Sequence, residues 1–202
     1  ATEHVTGIGG FRPFGAEEAE IAERAGIEGG RFEFDAMEAG VERAFGVTTR
    51  PKIEAEGDPH RDPNRSWRIV SHTVGAMTVR AVAAPSSDPD RRRADTADTC
   101  RFWAERVVDL KPGDSVLVVT SSPYVPFQHS DAVACMGLPY GCEIDTVGVE
   151  PETGPRDRRA AGACLQEIRS AIRSMRRLRE AALAQAAARA PSGPSAVRAL
   201  EP

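Results

Sequence analysis

The sequence predicts a doubly wound α/β layer fold with a mostly parallel sheet and a long C-terminal helix. Three observations carry this expectation. Segments of strand character alternate with segments of helical period along the chain. One strand, "SVLVVT" at 115–120, is apolar at consecutive positions, as expected for a parallel strand covered on both faces. In the Ala- and Arg-rich stretch 157–190, Leu165, Ile168, Ile172 and Met175 recur on one helical face.

The elements follow in order. Residues 4–10 read as a short strand entering the glycine-rich turn "GIGGFRPFG". The Ala/Glu-rich stretch 15–26 suits a helix stopped by Gly26. A second helix over 33–45 carries Phe34, Met37, Val41 and Phe45 at helical spacing, with Gly46 at its end. The stretch 49–66, dense in Pro, Asp and charge, reads as a loop excursion over the site. Residues 67–74 alternate and suit an edge strand, and 78–84 form another. A helix over 94–110 is capped by Asp95 or Thr96, whose side-chain oxygen satisfies a free backbone N–H. After the 115–120 strand come a helix over 126–136 and a strand over 142–149. The organisation expected is a ligand-binding domain over 1–156, a helix over 157–190 packing on that domain or on a partner, and a disordered tail over 191–202.

Composition limits the classes. At 202 residues the chain is long enough for one buried core, built from aliphatics because aromatics are only 5%. A formal charge of −4 speaks against bulk nucleic-acid binding, although Arg91, Arg92 and Arg93 form a local basic cluster. No stretch approaches the roughly 18–20 apolar residues of a membrane span, and no signal-peptide pattern opens the chain. The four cysteines lack CxxC spacing and read as reduced thiols, which points to the cytoplasm.

In an open parallel sheet, ligands sit beyond the carboxyl ends of the strands, near helix N-termini that favour anions. Three segments leave strands in that polar, turn-forming way: Gly7 to Arg12, Pro85 to Asp88, and Thr120 to Tyr124. Gly9 and Gly10 either admit a ligand to the backbone or form a tight turn, with Arg12 as partner for an anionic group. Ser86 and Ser87 offer polar backbone and hydroxyl contacts, and Ser121 and Ser122 offer hydroxyls and N–H groups or cap a helix. Arg91 to Arg93 stand just before a helix N-terminus, where cations do not help the helix dipole; either an anion joins them, with Arg93 as its partner, or they form a solvated turn offset by Asp88, Asp90, Asp95 and Asp98. Tyr124 forms a wall, with Gln128 and His129 on the helix behind it. His129 and Asp95 are the acid/base candidates, set against a structural role for the histidine. No GxSxG nucleophile elbow is present. His4, His60, His72 and His129 are scattered, so no metal site is expected.

The second half is similar to the DUF218 family (the YdcF, SanA and ElyC group). "RRADTADTCRFWAERV" followed by "DSVLVVTSSPYVPFQHSDAVACMGLP" carries the likeness, and "GIGG" with "EFDAMEAGVERAFGV" extends it upstream. The resemblance implies a Rossmann-like three-layer fold and one crevice gathering Gly9, Gly10, Glu33, Asp95, Thr96, Thr120, Ser121 and Tyr124. It also implies S-adenosylmethionine as a cofactor candidate. The chain departs from the family pattern with Asp95 in place of Asn, Asp98-Thr99 in place of Glu-Asn, and Val125 in place of His.

Together these readings lead to the expectation of a protein that binds a nucleotide-like or anionic small molecule at the strand C-termini. As an enzyme it would be a transferase or hydrolase. The alternatives are a Ser/His hydrolase with Ser121 as nucleophile, and a non-catalytic assembly protein forming homo-oligomers through the C-terminal helix.

Overall fold

A computed structural model describes residues 3–149 and 161–189. The predicted tail 191–202 and residues 157–160 and 190 of the predicted helix lie outside the described residues. The elements run β1 (His4–Gly9), α1 (Ala16–Arg24), α2 (Glu33–Ala44), β2 (Lys52–Glu56), β3 (Trp67–Val74), β4 (Met77–Ala83), α3 (Thr96–Arg106) and β5 (Ser115–Ser121). After a 3-10 turn (Ser122–Tyr124) come α4 (Val125–Ala132), a π-helical turn (Val133–Gly137), α5 (Leu138–Tyr140), β6 (Glu143–Val149) and α6 (Ala161–Arg189).

The strands do not join in the expected Rossmann-like three-layer architecture with a mostly parallel sheet. They form a four-stranded sheet in the order β1-β4-β3-β2 and a separate two-stranded sheet, β5-β6. In the larger sheet only β1 and β4 are parallel; β4–β3 and β3–β2 are antiparallel. The reason is local. β3 and β4 are joined by two residues, Gly75 and Ala76, and Gly75 sits at φ 63°. A two-residue turn opening with a left-handed glycine makes a hairpin, and a hairpin is antiparallel. Pairing with β2 on its other side makes β3 an interior strand, not an edge. One edge is β2, whose "KIEAE" is exposed at every position and falls inside the stretch 49–66 that reads as loop.

β5 corrects a second expectation. Its apolar run is not covered on both faces: Val116 and Val118 turn inward, while Leu117 and Val119 are exposed.

Two cores hold the fold. Phe11, Phe32 and Phe34 cluster between α2 and the larger sheet with Val70, Ala81 and Ala83, their ring centroids 5.4 Å from Phe11. Gly7 permits this packing, since a Cβ there would lie 2.6 Å from Met37 Cγ. The other core joins Cys100 and Ala104 of α3 with Ala132, Met136 and Cys142, and Ile8, Val116, Val118 and Ile144 pack against it. All four cysteines are free thiols. Helix α6 lies on α4, where Arg177 meets Asp131 and Gln185 Nε2 donates to the Leu138 carbonyl at 2.6 Å.

Candidate functional site

Most of the residues singled out in the sequence gather where β1 and β4 end. The Ala84 N–H donates to the Gly9 carbonyl at 2.8 Å, which places Ser86, Ser87 and the following turn beside Gly10. Neither Gly9 nor Gly10 has positive φ. The open side of Gly10 is taken by protein: a Cβ there would meet Ala94 Cβ at 3.2 Å and the Ala84 carbonyl at 3.5 Å. Residues of the β2–β3 connection latch onto this turn, with Asn64 Nδ2 donating to the Pro89 carbonyl at 2.9 Å and Arg65 paired to Asp90 at 2.6 Å.

Most of the charges at this end are paired, although among the described residues Arg93 has no carboxylate at ion-pair distance. The Arg12 fork donates to both Glu18 oxygens, at 2.9 and 2.6 Å, and also meets Glu33. Arg12, followed by the Gly15 N–H, draws the Glu18 carboxyl down to about 2, with Arg93 adding to the pull. Asp95 caps α3: its Oδ1 accepts from the Asp98 N–H at 3.0 Å, and Asp98 returns a bond from the Asp95 N–H at 3.1 Å. Thr96 opens the helix, and its carbonyl accepts from the Thr99 hydroxyl. Arg92 pairs with the buried Asp98, donates to Ser87 Oγ at 2.8 Å and lies 3.5 Å from Asp95. Burial works to raise the Asp98 carboxyl, but bonds from Arg92, Ser87 and the Asp95 backbone together hold it below its ordinary range.

Thr120, Ser121, Ser122, Tyr124, Gln128 and His129 form a second group at the end of β5 and the start of α4. Tyr124 packs edge-on against Phe127 with ring centroids 5.8 Å apart. His129 Nδ1 lies 3.0 Å from Thr146 Oγ1 on β6. The link between the two groups runs through Arg177 of α6, 3.6 Å from Asp95 and 3.2 Å from the buried Asp131. Burial lifts the Asp131 carboxyl above its ordinary range despite Arg177 and Ser174. Asp95 at the start of α3, Asp131 of α4 and Arg177 of α6 thus tie the three helices together, a network sequence reasoning missed. The Asp-x-x-Asp spacing at 95–98 was its one local signal, because Asp131 and Arg177 stand 46 residues apart.

A different arrangement occupies the opposite end of the larger sheet. There, a groove of about 330 Å³ lies over β2, β3 and the start of β4, closed on one side by the last turn of α3. The hydroxyl-bearing residues Ser71, Thr73 and Thr78 line it, as do Lys52, Arg80 and Arg106. Lys52 pairs with Glu54 at 3.0 Å. Among the described residues, neither Arg80 nor Arg106 has a carboxylate within ion-pair distance. Arg80 meets His4 Nδ1 at 3.1 Å instead, and burial presses its guanidinium below its usual range against the pull of Glu54. Arg106 lies over the Trp67 ring at 5.2 Å. Sequence reasoning passed over these residues, since the pattern "TVRAVAA" shows only a strand with one arginine in it.

Among the described residues no group of His, Cys, Asp and Glu could hold a metal ion, and no helix is long and apolar enough to cross a membrane. The chain is 36% identical over 162 residues to proteins from Mycobacterium bovis and from two strains of Mycobacterium tuberculosis, each described as an uncharacterized protein. The match covers 75% of this chain and 44% of each relative, so the chain spans less than half the length of the curated relatives it matches. No family model matches it, and no solved structure matches it.

Proposed function

We propose that the protein binds a small anionic molecule, a phosphate ester or a carboxylate, and that it does so in the groove beside Arg80 and Arg106. The observation that carries this reading is charge balance. At the strand C-termini, Arg12, Arg92 and Arg177 already face carboxylates, so an incoming anion would have to displace one or rest on Arg93 alone. In the groove two guanidinium groups stand without a carboxylate at ion-pair distance, the lining Glu54 being paired to Lys52; one of them is partly desolvated, and three residues that carry hydroxyls stand beside them. A guanidinium offers a planar fork of donors suited to carboxylate and phosphate oxygens, and hydroxyls add neutral donors around it. A cavity of about 330 Å³ is at the small end of the range for ligand pockets, roughly 300–1,000 Å³.

Binding is all this reading assigns. The titratable groups beside the arginines are Glu54, which pairs with Lys52, His4, which meets Arg80, and His72, whose Nε2 lies 3.7 Å from Glu42. The test is a thermal-shift series with inorganic phosphate, nucleoside monophosphates, dicarboxylates and S-adenosylmethionine, since a ligand that binds the native state raises its melting temperature. A phosphate or carboxylate compound should stabilise the wild type, and Arg80→Gln should weaken the effect by about tenfold in concentration, or about 1.4 kcal/mol. Arg93→Gln, at the other end of the sheet, should leave it unchanged. Loss on Arg93→Gln with retention on Arg80→Gln would return the ligand to the strand C-termini.

A further inference from the structure

The outer face of the β5–β6 ribbon is bare. Leu117 and Val119 are 59% and 61% exposed, and Val147 and Val149 beside them are 42% and 56% exposed. The inner face is covered by α3 and α4, whereas parallel strands normally have cover on both faces. A second apolar surface lies on α6, where Leu165, Ile168, Ile172 and Met175 are 65%, 56%, 47% and 51% exposed. Their spacing of three, four and three residues is that of a helix seam made to pack against another element.

We propose that α6 of one copy of this chain seats on the outer β5–β6 face of a second copy, with the contact repeated reciprocally about a two-fold axis. The two surfaces match in length and charge. The α6 stripe is about 15 Å long at helical rise, and the face from Asp145 to Val149 is about 13 Å at strand rise. Glu143 and Asp145 lie on the same face as Val147 and Val149 by strand alternation, and both are exposed. Arg169, Arg176 and Arg179 flank the α6 stripe. The area also suffices: eight half-exposed aliphatics at roughly 100 Å² each offer roughly 800 Å² per copy, the size of a standard interface. The contact is intermolecular because each α6 packs on its own α4, which covers the inner side of its own ribbon. A reciprocal contact closes as a dimer and leaves no free face to propagate.

The test is light scattering coupled to size exclusion over a concentration series, with the full chain, Val119→Asp and Ile172→Asp. Both positions are exposed in the monomer, so both variants should keep the wild-type circular dichroism. Should either unfold, Val119→Thr or Ile172→Gln replaces it. The wild type is expected as a dimer, and each variant should dissociate at least about 100-fold more readily. Mixing the two variants should restore a heterodimer, since one of its two contacts pairs an intact α6 with an intact face. A monomeric wild type, a Val119→Asp dimer of wild-type affinity, or a mixture that restores nothing would each overturn the proposal. The second outcome would point to pairing of α6 with α6.

Discussion

Replacing Asp98 and Asp131 by asparagine separates two aspartates that are alike in burial, 4% and 3% exposed, and opposite in electrostatics. Asp98 receives Arg92, Ser87 and the Asp95 N–H, and its carboxyl lies below its ordinary range. Asp131 has Arg177 at 3.2 Å, yet burial dominates and its carboxyl lies above the ordinary range. Removing one partner of a buried pair costs about 3–5 kcal/mol. The Arg92 side chain is 37% exposed, so solvent screens part of the interaction and a loss of about 2 kcal/mol is expected for Asp98→Asn. In a chain of this size that lowers the melting temperature by about 4–8 °C. Asp131→Asn should change stability by no more than about 0.5 kcal/mol at neutral pH, or raise it, because the asparagine relieves an unfavourable buried charge.

The pH dependence carries the opposite signs. A carboxylate with a lowered folded pKa stabilises above its unfolded value, near 3.9, and that contribution disappears as pH falls through the folded value. The Asp98→Asn deficit should therefore stay constant from pH 8 to about 4 and close below that. A carboxylate with a raised folded pKa costs stability when ionised, so any gain from Asp131→Asn should fade as pH drops through the raised value towards about 4. Urea melts at intervals from pH 3 to 8 measure both. Equal losses for the two variants at pH 7, or a harmless Asp98→Asn, would refute the reasoning.

Other outcomes can be checked with simpler tools. Gly148→Ala should destabilise by about 1–3 kcal/mol, because its Cβ would lie 2.7 Å from the Ser122 Cα, a backbone atom that cannot step aside; a thermal melt shows it. Burial pushes the Cys100 thiol up to about 12, so it should stay unmodified by a thiol reagent at pH 8 until the protein unfolds. Cys164, exposed on α6, should react at once in the dilute protein, and intact-mass spectrometry with peptide mapping distinguishes the two.

Much of the secondary structure was legible because each element satisfies a local rule. Met37 and Val41 announce the face of α2, Asp95 announces the start of α3, and "VLVV" announces β5. The pairing of the strands was not read, although "TVGAMT" contains the two-residue glycine turn that forces β3 and β4 antiparallel. β2 was hidden because "KIEAE" is an exposed edge, held by backbone bonds to β3 with no buried side chain to mark it. Burial on both sides of β5 was inferred from its composition, but composition does not say whether a second layer is present. The strand-end cluster could be listed residue by residue, since turns and caps are local. Its ion pairs could not, because the geometry that brings Arg177 to Asp95 and Asp131 depends on how α6 packs. The groove was invisible for the same reason: Lys52, Ser71, Arg80 and Arg106 come from four elements, and nothing local relates them.

The most direct single measurement is a ¹⁵N–¹H NMR titration of the protein with a nucleoside monophosphate or whichever anion stabilises it best. Saturable shifts centred on Ser71, Thr73, Thr78, Arg80 and Arg106, absent in Arg80→Gln, are the predicted result. Shifts centred on Gly10, Ser87, Arg93 and Asp95, or no saturable shift with any phosphate or carboxylate, would contradict the assignment of the groove as the binding site.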